Sequence, residues 1–453
     1  MARATVACLS RELGAGRITS RQLVEQALQR IEDPKGEGSR VFMKVHGELA
    51  RKQAEASDAL RAAGVVRSPV EGIPVSVKDL FDVAGDVTMA GSKVLSNADP
   101  AKRDALTIAR LRAAGAIIVG RTTTVEFAFG GVGTNPHYGT PKNPFDRENG
   151  GRIPGGSSAG AAVSVADGMV CMGLGTDTRG SVRIPSALCG TTGFKPTASR
   201  IPKHGVFPLS YTLDSVGPLA NSVACCAVYD AILAGEEASV VTAPAPLPLA
   251  SLHFIIPVCS LLDGLDPQVS QAFERSIDTL RTAGASIERV PMPMLTDAQN
   301  LYKNGGFAGA EAYQIHRALL EKSRDDYDPR VAARIALGES FPAADYIQLG
   351  LDREKLIDEI RALVRPFDAM LFPTVPIVAP SIVDAQKSDE DYVSLNMKLL
   401  RNPGLINLLN GCALSIPCHK PGEEPVGLMI AGMGGSDKHI LAVGQSVEDA
   451  LSI

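Results

Sequence analysis

The stretch Pro154-Gly-Gly-Ser157-Ser158-Ala-Gly-Ala-Ala-Val-Ser-Val-Ala166, followed closely by Val170-Cys-Met-Gly-Leu-Gly-Thr176-Asp177-Thr178-Arg179-Gly180-Ser181, lies near the middle of a 453-residue chain. It is part of a longer segment, Phe127 to Pro196, that is dense in Gly, Ser, Thr and Pro and low in charge. In a linker such a composition means flexibility. Here two apolar runs interrupt it. Residues 159–166 read as a tightly packed helix and residues 170–175 as a buried strand. Small residues between them let backbones pack closely around a site.

Outward from this segment the pattern is that of alternating helices and strands. Residues 19–33 place Leu23, Val24, Ala27, Leu28 and Ile31 on one helical face, with Thr19 and Gln22 as a capping box and Pro34 as a stop. A second helix, about residues 49–63, ends at Gly64. The β-branched run Ile73-Pro-Val-Ser-Val leads directly into Lys78. Residues 104–120 and 267–290 each read as a helix, a glycine stop (Gly115, Gly284) and an apolar strand. Residues 296–366 read as mainly helical. Together these predict an α/β/α layered fold with a covered sheet. No linker or internal repeat divides the chain, so one large domain over residues 1–453 is expected, with N-terminal helices in about 1–65.

Composition removes several function classes. The 45 basic and 50 acidic residues give a net charge of −5 with no basic stripe, so no nucleic-acid partner is expected. No apolar run is long enough for a signal peptide or a membrane span, which points to the cytoplasm and away from membranes. The eight cysteines are scattered without a C-x-x-C pair and the seven histidines form no metal motif. Reduced, buried thiols and no metal site are the expectation.

Three motifs compete for the glycine-rich segment. A phosphate loop fits the glycine spacing from Gly150, but Gly156 stands where its lysine must be. A nucleophile elbow fits Gly156-Ser157-Ser158-Ala159-Gly160 with Ser158 at the centre. It requires a downstream acid and histidine, and none of His204, His253, His316, His419 and His439 sits in a recognisable motif. The third arrangement combines Gly72-Ile-Pro-Val-Ser-Val-Lys78-Asp, Pro154-Gly-Gly-Ser157-Ser158 and Gly175-Thr-Asp-Thr-Arg-Gly-Ser181-Val-Arg183-Ile-Pro, followed by Cys189-Gly-Thr-Thr-Gly-Phe-Lys195-Pro.

In order and spacing these blocks resemble the amidase-signature family. Further blocks extend the resemblance over most of the chain, among them Thr123-Thr-Val-Glu126, Thr212-Leu-Asp214-Ser-Val-Gly-Pro, Phe372-Pro-Thr and Ser415-Ile-Pro. The resemblance implies a central mixed, largely parallel sheet and amide hydrolysis without cofactor or metal. It implies Ser181 as nucleophile, Ser157 as bridging serine and Lys78 as base, with a cis bond before Ser157. The backbone N–H groups of Thr178, Arg179, Gly180 and Ser181 would hold the oxyanion. Ser158 reads as a supporting residue of the site, and Asp177 and Arg183 flank Ser181 so as to pair with one another and fix the loop. Chemically this dispenses with histidine. A lysine is a base only when neutral, and the apolar setting of Lys78 favours the uncharged amine.

Arg179 is a departure, since the family commonly has glycine or another small residue there. A side chain turned toward the substrate would favour a small polar or anionic amide. One turned away would pair with an acid such as Asp177 or Glu126. Gly131 and Thr176 are further candidates for substrate contact. A small-molecule amide is the expected partner, with a homodimer left open. Two rivals remain: the glutaminase subunit of a complex that transamidates misacylated tRNA, and a Ser–His–Asp esterase.

Overall fold

Thr19 Oγ1 accepts the N–H of Gln22 at 3.1 Å, while the Gln22 side chain accepts the N–H of Thr19 at 2.9 Å. This reciprocal cap starts the helix Ser20–Glu32, whose buried face carries Leu23, Val24, Ala27, Leu28 and Ile31, as the periodicity predicts. In the computed structural model, which describes residues 4–451, the helix Gly47–Ala62 follows, and the chain turns at Gly64 with φ of +78°.

Eleven strands form one sheet among the described residues. They are β1 (Phe42–Val45), β2 (Pro74–Lys78), β3 (Ile117–Thr122), β4 (Met172–Asp177), β5 (Thr192–Lys195), β6 (Ser215–Ala220), β7 (His253–Val258), β8 (Ser286–Pro291), β9 (Ala369–Pro373), β10 (Cys412–Pro417) and β11 (Gly427–Gly432). Their order is β1-β3-β2-β4-β6-β5-β10-β11-β9-β7-β8. The sheet is mixed, as expected, but its parallel share is smaller than the resemblance implied. Four adjacent pairs are parallel, in two blocks, β3-β2-β4 and β9-β7-β8. The other six pairs are antiparallel, and five of them run through the middle from β4 to β9. The helix-then-strand units visible in the sequence lie in the two outer blocks. The middle strands show no such rhythm.

β2, β3, β4, β10 and β11 are buried along their whole length. The helix Ala159–Ala166 packs on β4 so closely that a Cβ at Gly173 would come within 2.8 Å of the Ala161 carbonyl oxygen. That contact explains the small residues of this segment: a larger side chain would push the helix off the sheet. Residues 296–366 are mainly helical, with the helices Gly306–Ser323, Pro329–Ala336 and Ala343–Val364. They lie beyond β8 in the chain and return at β9. Among the described residues no helix is long and apolar enough to cross a membrane, and none of the eight cysteines is joined in a disulfide.

Candidate active site

Lys78 is the last residue of β2, and its side chain is fully buried. Its Nζ donates to Ser157 Oγ at 2.7 Å, Thr176 Oγ1 at 2.8 Å and Ser158 Oγ at 3.0 Å. All three acceptors are neutral hydroxyls. Burial pulls the amine down to about 7, against the weaker opposing pull of Asp177 and Asp214. A desolvated amine without a contacting carboxylate sheds its proton near neutrality, and the three hydroxyls fix its position.

The serine pair is held from several sides. The bond between Gly156 and Ser157 is cis. The Gly156 N–H donates to the Gly131 carbonyl at 2.8 Å, and Thr124 Oγ1 donates to the Ser157 carbonyl at 3.0 Å. The Ser158 N–H donates to the Ser181 carbonyl at 3.2 Å, which ties this loop to the one after β4.

That second loop is built around Asp177. Its carboxylate accepts the N–H of Gly180 at 2.8 Å and of Val182 at 3.1 Å, and both Nε and Nη2 of Arg183 at 3.0 and 2.9 Å. Both partners are fully buried. Burial alone would raise the Asp177 carboxyl, but the Arg183 guanidinium, with help from Lys195 and Asn407, holds it below the usual carboxylate range. Asn407 bridges the pair, donating to Asp177 Oδ1 at 3.0 Å and accepting from Arg183 Nη2 at 2.7 Å. Gly180 has φ of +119°, and a Cβ there would lie 2.5 Å from the Pro403 ring, so only glycine fits.

The oxyanion assignment changes in one place. The Gly180 N–H is taken by Asp177. The N–H groups of Thr178, Arg179 and Ser181 find no acceptor among the described residues and remain as the candidate donors. The Thr178 hydroxyl donates to Asp214 Oδ1 at 2.6 Å, which leaves its backbone as the part available to a substrate.

Ser181, Thr178 and Arg179 line a cavity of about 330 Å³, together with Phe129, Gly130, Tyr302, Arg334 and Leu400 among others. Arg179 stacks on Tyr302, its Cζ 3.5 Å from the ring centre. Neither Asp177 nor Glu126 pairs with it. Glu126 is occupied by Ser92 Oγ at 2.7 Å, His137 Nε2 at 2.8 Å and the Asp328 N–H at 2.7 Å.

Two of the suggested substrate contacts, Gly131 and Thr176, do not line this cavity. Gly131 is buried, its N–H donating to Asn396 Oδ1 at 2.7 Å, and it is Gly130 that lines the cavity. Thr176 spends its hydroxyl on Lys78. No histidine is among the residues that line this cavity. His316 is packed among Phe127, Phe207 and Tyr327, and burial pulls it down to about 4. Among the described residues no group of three or more His, Cys, Asp and Glu side chains is arranged to hold a metal ion. Arg334, Tyr302 and Asn407 carried no signal in the sequence, because each sits in a helical segment without a motif.

The family model for Amidase matches residues 22–441. The chain belongs to the amidase family. As an amidase-family member it is 36% identical to a 2-amino-5-chloromuconic acid deaminase from Comamonas testosteroni over 89% of this chain and 86% of that protein. It is 33% identical to the A-subunit of the glutamyl-tRNA(Gln) amidotransferase from Roseiflexus sp. (strain RS-1), over 96% and 93% of the two chains. A crystal structure of an amidase superposes with a TM-score of 0.87 at 33% identity, over 98% of this chain and 99% of that one. The family establishes a hydrolase acting on amide bonds.

Proposed function

We propose that this amidase hydrolyses a small polar or anionic amide through an acyl-enzyme on Ser181, with Ser157 as the bridging serine and Lys78 as the base. The observation that carries this reading is the buried Lys78 amine, drawn down to about 7 and bonded to Ser157, in a loop that the Ser158 N–H ties to Ser181 on the cavity wall. Neutral Lys78 takes the Ser157 proton as Ser157 takes that of Ser181. The Ser181 oxygen then adds to the amide carbonyl. The resulting oxyanion meets the N–H groups of Thr178, Arg179 and Ser181, each such donor being worth about 2.7–4 kcal/mol in acyl transfer. The relay runs backward to protonate the leaving nitrogen, which an amide needs because its anion is a poor leaving group. Water repeats the sequence on the acyl-enzyme, releasing a carboxylic acid and regenerating Ser181. Arg179, which pairs with no acid and faces the cavity, supports the preference for a polar or anionic acyl group.

A second reading is favoured by the 33% identity to the amidotransferase chain. In it the protein supplies ammonia inside a larger assembly. An ammonia-release assay of the purified chain alone against a panel of primary amides separates the two. Turnover without partners supports the free amidase. Silence alone, with activity restored by partner proteins, supports the second.

A further inference from the structure

A second guanidinium faces the same cavity. Arg334 projects from the helix Pro329–Ala336, which begins at Asp328, whose N–H is held by Glu126. Its Nε donates to the Arg330 carbonyl at 3.0 Å, its Nη2 donates to the Phe129 carbonyl, and it lies over the rings of Phe129 at 5.4 Å and Tyr392 at 5.9 Å. Neither Arg334 nor Arg179 forms an ion pair among the described residues. Arg179 Nε and Nη2 are buried and find no hydrogen-bond acceptor there. Asp328 acts on Arg334 only from a distance and spends Oδ1 on the Arg330 N–H.

The rest of the lining offers no negative charge. It is apolar at Phe129, Leu209, Leu337, Met397 and Leu400, with the polar Asn304 and Asn396. The two arginines have separate anchors, Tyr302 for Arg179 and Phe129 with Tyr392 for Arg334, and the Arg334 charge acts on Arg179. Tyr302 is itself fixed by a 2.6 Å bond to the Gly404 carbonyl.

We propose that this cavity is a two-arginine receptor for a dianionic amide, Arg179 and Arg334 each taking one carboxylate of a substrate that carries no ammonium group. One carboxylate would leave one guanidinium uncompensated in a confined, largely apolar space. A zwitterion would set its ammonium against two like charges without an acid to receive it. The two cationic side chains, Arg334 with Nε and Nη2 already spent on carbonyls, favour carboxylates over neutral carbonyls. The proposal rests on the amidase reading above and names its substrate class.

The test is kcat/KM on butyramide, succinamate, the monoamide of propane-1,2,3-tricarboxylic acid, and glutamine, which carry no charge, one negative charge, two negative charges and a zwitterion. The expected order is dianion, then monoanion, then neutral, with glutamine below succinamate. Arg334→Gln should shrink the dianion-over-monoanion preference by about 10–150-fold, and Arg334→Lys should restore part of it. An equal loss on every substrate, or a wild-type enzyme indifferent to the second carboxylate, overturns the proposal. A readout without turnover separates the two readings: glutarate should raise the Tm of Ser181→Ala but not of the Ser181→Ala, Arg334→Gln double variant. Arg334-dependent glutarate binding without any amide cleavage would sink the hydrolytic reading and leave the receptor standing. Cleavage without glutarate binding would do the reverse.

Discussion

The Arg179 guanidinium lies 3.5 Å from the centre of the Tyr302 ring, its Nε and Nη2 buried and unpartnered, in a residue that lines the cavity together with Ser181. Stacking holds the cation in place without neutralising it. An acid that would have cancelled the charge is absent because Asp177 is committed to Arg183 and Glu126 to Ser92, His137 and the Asp328 N–H. Arg179→Gly should therefore depress kcat/KM selectively on a carboxylated amide, by about 10–150-fold relative to its uncharged counterpart. An equal effect on both members of the pair would make Arg179 a structural residue only.

Ser181, and not Ser158, should carry the acyl group. Ser158 Oγ is buried between the Lys78 amine and the Thr176 carbonyl, at 3.0 and 3.3 Å, whereas Ser181 lines the cavity. A serine-directed fluorophosphonate followed by peptide mapping should label Ser181. Label on Ser158 would revive the nucleophile elbow.

The activity should follow the titration of Lys78. The amine works as a base only when neutral, and burial draws it down to about 7. Activity should thus be low in acid, rise through about pH 7 and level off above it. Lys78→Ala should cost at least about 10²–10⁴-fold in kcat, the usual contribution of a positioned base, and should abolish this limb of the profile. Activity retained in that variant but lost in a His316 or His419 variant would overturn the assignment.

Asp177→Asn should damage both stability and turnover. It leaves the fully buried Arg183 charge uncompensated, a change that costs about 3–5 kcal/mol when one partner of a buried pair is removed. It also loosens the Gly180 and Val182 N–H groups that shape the loop carrying Ser181. Denaturant unfolding should show the loss, and adding Arg183→Met should recover part of the stability without recovering activity. Full activity in Asp177→Asn would mean that the loop keeps its shape unaided.

Much of this molecule is local enough to be read along the chain. The capping box at Thr19, the glycine stops at Gly64, Gly115 and Gly284, and the strand that ends at Lys78 depend on neighbours within a few residues, so spacing and residue type were sufficient. The serine and lysine blocks were legible for the same reason, as short runs whose order and spacing are specific. What they could not contain is the direction of a side chain relative to residues far away in sequence. Asp177 stands only 6 residues from Arg183, and their pairing was foreseeable. Its third partner, Asn407, is 230 residues distant. The sheet order is likewise non-local: the antiparallel middle depends on β10 and β11 entering beside β5, which no periodicity records. The cavity's charge was decided in the same way. Arg179 could be seen beside Ser181, the proposed nucleophile, but whether it kept its charge depended on which acids the fold had already consumed. Arg334 was one arginine among many until the helix Pro329–Ala336 carried it to the same cavity. The sequence alone determined the chemistry that the chain carries; its folding in three dimensions decided which charges were left uncancelled to meet a substrate, because only proximity in space pairs them.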